Sequence, residues 1–377
     1  MEGAERWLAV AEELLCLPTV PLVEDLPAAH VVAFAEARPA LEAERDAAGN
    51  VVVRYQGAGA DADRPLVLVA PLDHPGFAVE GVGGRGGAIG FRGGLGLASA
   101  VAGAPVDFFV TGRVAPIGRG ALESAAGEEG RLATARARVL DGEAVAGGFA
   151  MWGFPGFAVD DGRIVGRVCD DLLGAAVVLS TLDELARRRP DGVATWGLFT
   201  RAEEIGFLGT LEAIRLGTVP PAACVLSLEC SKALADAPQG GGVIVRVGDR
   251  ASIFDPALTE ALTGAARQVE RDDPLFRWQR KLMDGGTCEA TAFCAAGYRA
   301  SGLALPLGNY HNALDDPVAG PGVGPEHVAV DDYLAGVQLL VELARSPSLL
   351  DPPSRPPPWL AERTERAQAL LGEGRRA

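Results

Sequence analysis

The stretch LVLVAPLDHPGF, residues 66–77, reads as a strand that delivers polar groups into a loop. The run PLVLVA (65–70) is apolar throughout, as a strand is when both faces of its sheet are covered. Asp73 and His74 follow it directly. In an open α/β sheet, ligands bind beyond the carboxyl ends of the strands. Three more apolar runs end in the same manner: the strand predicted over 193–200 leads to Glu203 and Glu204, that over 224–228 to Glu229, and that over 298–306 to His311. Asp170 and Asp171 stand at the start of a helical pattern. Each has an ordinary reading by itself, since acids favour a helix N-terminus and a loop histidine is commonly solvated. Together, these acidic residues and at least one histidine on one sheet edge are costly unless a cation neutralises them. Asp, Glu and His without paired thiolates suit zinc, manganese or cobalt.

Around that stretch the texture is α/β. A helix is predicted over 4–15. Helical spacing follows from residue 31, then a turn at Gly49-Asn50 and an alternating strand. Between 75 and 159 glycines crowd the chain and short β-like pieces appear, which predicts an inserted small β domain. Leu172, Ala176, Leu179, Leu182 and Leu185 then fall at helical spacing, and Arg187–Arg189 suit the negative end of the helix before Pro190 stops it. A helix is predicted over 203–215 and another over 331–346. Strands alternating with helices give a mostly parallel, covered sheet. The segment PPSRPPPW reads as a stiff spacer before a short terminal helix.

The chain has 377 residues, 48% hydrophobic and 22% charged, enough for a large core. A formal charge of −16 argues against nucleic-acid binding. No run of roughly eighteen apolar residues predicts a membrane span. The first residues lack a cationic segment with a separate apolar one, and six cysteines without CxxC pairing read as reduced thiols, so a cytoplasmic protein is expected.

The ordered motifs LDHPGF, VCDDLLGAAV, FTRAEEIGFLGT, LSLEC, GGTCEATAF and LPLGNYHN resemble the dinuclear zinc aminopeptidases, in their tetrahedral, TET-type branch of deblocking or glutamyl aminopeptidases. The resemblance covers nearly the whole core, the place of the β insert included. It implies an α/β fold of the zinc-aminopeptidase type, with residues 1–74 and 160–346 as catalytic domain, 75–159 as an oligomerisation domain and 347–377 as an extension. It also implies a homo-oligomer, from dimer up to dodecamer. Asp170 would bridge two metals, with a cis peptide to Asp171. Glu203 would be the general base, Glu204 and His311 would hold one metal, and Glu229 would serve the other. Asp73 would act in catalysis by orienting a histidine ligand two residues earlier. At that position the chain has Pro71, which offers no ligating atom. One or two ions, zinc or else cobalt or manganese, are therefore expected.

His74, Thr287 and Glu289 are expected to line the substrate pocket. The chemistry implied is hydrolysis of peptide N-termini. The alternatives are deacylation of an N-acyl amino acid, or a scaffold that has lost turnover. Cysteines 169, 230 and 288 lie beside site positions and read as small buried residues. Gly81-Val82-Gly83-Gly84-Arg85-Gly86 matches GxGxxG without the helix and acid a dinucleotide site needs. Ser231-Lys232 belongs to no legible triad, and Trp152 and Phe154 are expected in a core or subunit contact.

Overall fold

A computed structural model describes residues 2–57, 60–83, 86–315, 318, 320–350 and 358–373. Helices α1 (Glu2–Leu15) and α2 (Asp25–Glu36) lead into a hairpin of β1 (Leu41–Arg45) and β2 (Val51–Tyr55). Helical spacing does not survive in β1. Pairing with β2, which sets Leu41 opposite Tyr55, overrides the local preference of its Glu and Ala residues. The opening stretch forms β3 (Leu66–Pro71), buried along its length. The chain then leaves the sheet for β4 (Gly76–Gly83), β5 (Gly86–Arg92), β6 (Pro105–Phe109), β7 (Gly118–Glu128), β8 (Arg131–Gly142) and β9 (Phe149–Trp152).

These six strands close into a barrel in the order β4-β5-β8-β7-β6-β9. The barrel has its own core, in which Trp152 is buried and meets Phe77 edge-on at 5.1 Å. The described part of the GxGxxG match lies in the β4–β5 hairpin; residues 84–85 are outside the described residues.

The chain rejoins the main sheet through β10 (Ala158–Asp160) and β11 (Arg163–Gly166), then enters α3 (Cys169–Arg188). There follow β12 (Thr195–Thr200), α4 (Leu208–Leu216), β13 (Cys224–Lys232), β14 (Val243–Asp249), α5 (Pro256–Asp272) and β15 (Trp278–Met283). The last elements are α6 (Glu289–Ala295), β16 (Arg299–Gly308), β17 (Glu326–Ala329), α7 (Val330–Arg345), α8 (Pro347–Leu350) and α9 (Pro358–Glu373). Residues 352–357 of the proline-rich spacer lie outside the described residues, and its last two, 358 and 359, open α9.

The main sheet is mixed. Its centre, β12-β3-β13-β16, is parallel, and antiparallel strands flank it on both sides. Leu66, Leu68 and Ala70 of β3 face a layer of α1, α3, α5 and α7, whereas Val67 and Val69 face α4 and α6. This double cover explains the unbroken apolar run. One close approach sets the site. A Cβ on Gly174 of α3 would stand 3.1 Å from the Leu228 carbonyl, so glycine lets the start of α3 settle onto β13. The helix expected over 203–215 is broken into a 3-10 turn, Glu203–Ile205, and α4. Positive φ angles at Gly206 (112°) and Phe207 (58°) cause the break.

Candidate active site

Asp170 and Asp171 occupy the non-helical first turn of α3, joined by a cis peptide bond. The Asp170 backbone is pinned on both sides. Its N–H donates to Glu326 Oε2 at 2.9 Å, and its carbonyl accepts from His74 Nδ1. The carboxylate is left to face a cavity of about 550 Å³.

Glu203 and Glu204 reach the same cavity from the turn after β12. Their backbone N–H groups donate to Asp73 Oδ1 at 2.9 Å and Oδ2 at 3.1 Å. Asp73 thus holds the Glu-Glu turn with both oxygens and takes no place on the cavity wall. Burial and then the nearby Glu24 push its carboxyl up to about 7, against the pull of the two N–H donors. Glu24 secures the preceding residues, accepting from Ala202 N–H at 3.0 Å and from Arg201 Nε at 2.7 Å.

His311 completes the cluster. Its Nδ1 donates to the carbonyl of Gly94, a residue of the barrel segment. That bond turns Nε2 towards Asp170 Oδ2 (3.2 Å) and Glu204 Oε1 (3.5 Å). Ligand atoms of Asp170, Glu204 and His311 lie within 4.8 Å of one another. Burial pushes the imidazole down, but Glu204, Asp170 and the Gly94 carbonyl outweigh it and carry it up to about 10. Burial lifts Glu204 to about 8, with His311 pulling the other way. Such a buried acid–acid–imidazole set, fixed from behind by backbone groups, fits a divalent cation.

Glu229 points into the cavity from within β13, which runs on to Lys232; it was expected just past a strand ending at 228. Ser227 Oγ donates to its Oε1 at 2.5 Å. A second cluster brings together Asp170, Asp171 and Cys230. Burial and then Glu204 and Glu229 raise the Glu203 carboxyl well above the usual carboxylate range. Eight buried or half-buried acids crowd this region (Asp73, Asp170, Asp171, Glu203, Glu204, Glu229, Glu289 and Glu326), which is the excess of negative charge a metallohydrolase site requires.

Thr287 lines the cavity, but two other expected pocket residues do not. His74 is buried behind Asp170, with Nε2 2.9 Å from Asn312 Oδ1, and burial pushes it down to about 4. It is a prop for the Asp170 backbone. Glu289 is buried at the head of α6, where its Oε1 accepts from Thr200 and Thr210. In both cases partners remote along the chain hold the side chain away from the cavity: the Asp170 carbonyl and Asn312 for His74, and Thr200 and Thr210 for Glu289. Sequence reading also missed Glu24, Gly94, Arg246, Asn312 and Glu326, each of which acts through a partner remote along the chain. Lys232 pairs with Asp315 at 2.8 Å, and all six cysteines are free thiols.

Fold and site together define a metallohydrolase-type centre on an α/β sheet with an inserted barrel. Residues 144–315, a little under half of the chain, match the family described as M42 glutamyl aminopeptidase. No curated protein matches the chain by sequence. The fold is similar to that of an aminopeptidase from the archaeon Desulfurococcus kamchatkensis, at 18% identity and a TM-score of 0.74 over 94% of this chain and 99% of that one. It is similar to a TET aminopeptidase from a marine sediment thaumarchaeon, at 19% identity and a TM-score of 0.73 over 91% and 96%. The TET1 peptidase of Pyrococcus horikoshii, which assembles into a tetrahedron or a large octahedral shell, matches at 17% identity and a TM-score of 0.71 over 90% and 99%.

Proposed function

We propose that the chain is a metal-dependent hydrolase of peptide N-termini, related to the M42 glutamyl aminopeptidases. The observation that carries this reading is the placement of Glu203 on the cavity wall beside the Asp170, Glu204 and His311 cluster. When bound, a divalent ion (zinc, or cobalt or manganese) supplies Lewis-acid polarisation of the scissile carbonyl. Glu203 takes a proton from the attacking water and delivers it to the leaving amine. Asp73 positions Glu203 and Glu204 through their backbone, and Thr287 contributes to the substrate wall.

Pro71 supports a departure on the Glu229 side. Strands β3 and β13 set Val69 opposite Ser227, so Pro71 and Glu229 each lie two residues further along, on one face. A side-chain donor at 71 would face Glu229, and proline has none.

Residues 1–74 and 160–346 form the catalytic domain in this reading, 75–159 the oligomerisation domain and 347–377 an extension. The assemblies of the TET1 peptidase support a homo-oligomer, and among the described residues no helix is long and apolar enough to cross a membrane. We place the protein in the cytoplasm.

Replacing Glu203 by Gln tests the reading. Turnover of aminoacyl chromogenic substrates should fall by at least about a thousandfold, on the scale of losing a general base, while metal content stays as in the wild type. Undiminished turnover would refute it.

A further inference from the structure

The antiparallel register of β14 and β16 sets Arg246 opposite Gly302, and Gly302 lies opposite Ser227 of β13. The row continues to Val69 of β3. Arg246 therefore shares a face with Ser227 and with Glu229 and Pro71, one step further along. Gly302 has no side chain to obstruct the way. A Cβ built there would stand 3.5 Å from Arg246 Cδ, so the arginine stem crosses the sheet over this glycine.

Arg246 is 3% exposed, yet it lines the cavity that Glu229 lines. Its Nε is buried without a hydrogen-bond partner among the described residues. The groups its charge acts on are the Cys288 thiol and the carboxylates of Glu229, Asp249 and Asp171. Asp249 already accepts from Ala251, Ser252 and Cys288 N–H groups and from the Thr291 hydroxyl. Glu229 and Asp171 are left as the acids that need a counter-charge. A buried guanidinium is always charged and does not leave.

We propose that Arg246 supplies the positive charge on the Glu229 side from within the protein, so that the chain holds one divalent ion, at Asp170, Glu204 and His311. This rests on the metallohydrolase reading and adds to it the number of ions. Pro71 withholds a ligand from the second position and Arg246 fills its electrostatic place. The cluster of Asp170, Asp171 and Cys230 does not offer a substitute. The Cys230 thiol donates to the Cys169 carbonyl at 3.2 Å, and Asp171 Oδ1 accepts the Cys230 N–H. The Cys230 sulfur and Asp171 Oδ1 are thus both engaged by the protein.

The test is metal counting on full-length protein, stripped with chelator, reconstituted with zinc and passed through a desalting column before elemental analysis. Wild type and Pro71→His should each retain one ion per chain, because Arg246 still repels a second. The double variant Pro71→His with Arg246→Met should retain two, and Pro71→His with Arg246→Lys should return to one. Two ions in the wild type or in Pro71→His would overturn the inference, as would one in the folded Pro71→His, Arg246→Met protein. If the Met variant fails to fold, the first two counts decide. No ion in the wild type would instead remove the metallohydrolase reading, and this inference with it.

Discussion

Asp73→Asn tests the contact on which the candidate active site depends, because it keeps side-chain shape while removing the charge and replacing one acceptor oxygen by a donor. Wild-type Asp73 receives the N–H groups of Glu203 and Glu204 on separate oxygens, at 2.9 and 3.1 Å, in a fully buried setting. Asparagine retains one acceptor oxygen. Its amide group would confront the other N–H, donor against donor. A hydrogen bond to a charged acceptor contributes about 1.5–3 kcal/mol, and an unsatisfied buried donor costs about 1–3 kcal/mol. The variant should therefore lose about 2–4 kcal/mol of stability on the same scale. The turn that carries both glutamates would shift, and a displacement of about 1 Å at reacting groups costs roughly a hundredfold in rate. Urea unfolding would measure the first effect, and kcat on an aminoacyl chromogenic substrate the second. A variant with wild-type unfolding free energy and kcat within twofold would refute the claim that Asp73 holds the Glu203–Glu204 turn.

Three other outcomes follow from the same structure. Gly94→Val should weaken metal binding by roughly 10–100-fold, as loss of a partner behind a metal ligand does, because a Cβ there already lies 3.4 Å from His311 Nδ1; a chelator competition titration reads this. Burial raises Asp332 to about 6 although Gly240 and Gly242 donate N–H bonds to it. Its folded pKa exceeds the unfolded one, so its titration favours folding below about pH 4 and that contribution is lost as pH rises through 6, up to about 3 kcal/mol. Urea unfolding at pH 4 and 7 should show the wild type losing that much relative to Asp332→Asn. Leu179→Ala, in the buried run of α3, should cost about 2–5 kcal/mol in urea unfolding.

The central strands were legible because both faces are covered and the code is purely local: unbroken apolar runs such as Leu66–Pro71 have no rival reading at that length. The acids and the histidine near strand ends were legible as chemistry out of place. What failed were features set by distant partners. Strand β1 has helix-forming residues and is a strand only because β2 pairs with it. Strands β14 and β15 went unassigned, and their register is what brings Arg246 into the site. The break in the 203–215 helix depends on positive φ at Phe207, which no phenylalanine advertises. His74 and Glu289 are drawn inward by partners remote along the chain, the Asp170 carbonyl and Asn312 for one and Thr200 and Thr210 for the other.

The barrel leaves the sheet just after Asp73-His74 and returns shortly before Asp170, so it is spliced between two parts of one site. The carbonyl that fixes His311 comes from that splice, at Gly94. It follows that the barrel is not a detachable module. A chimaera that exchanged it would also decide which imidazole nitrogen faces Asp170 and Glu204. Any exchange of barrels between relatives must carry the Gly94 carbonyl across at the same height, or His311 will lose the contact that orients it.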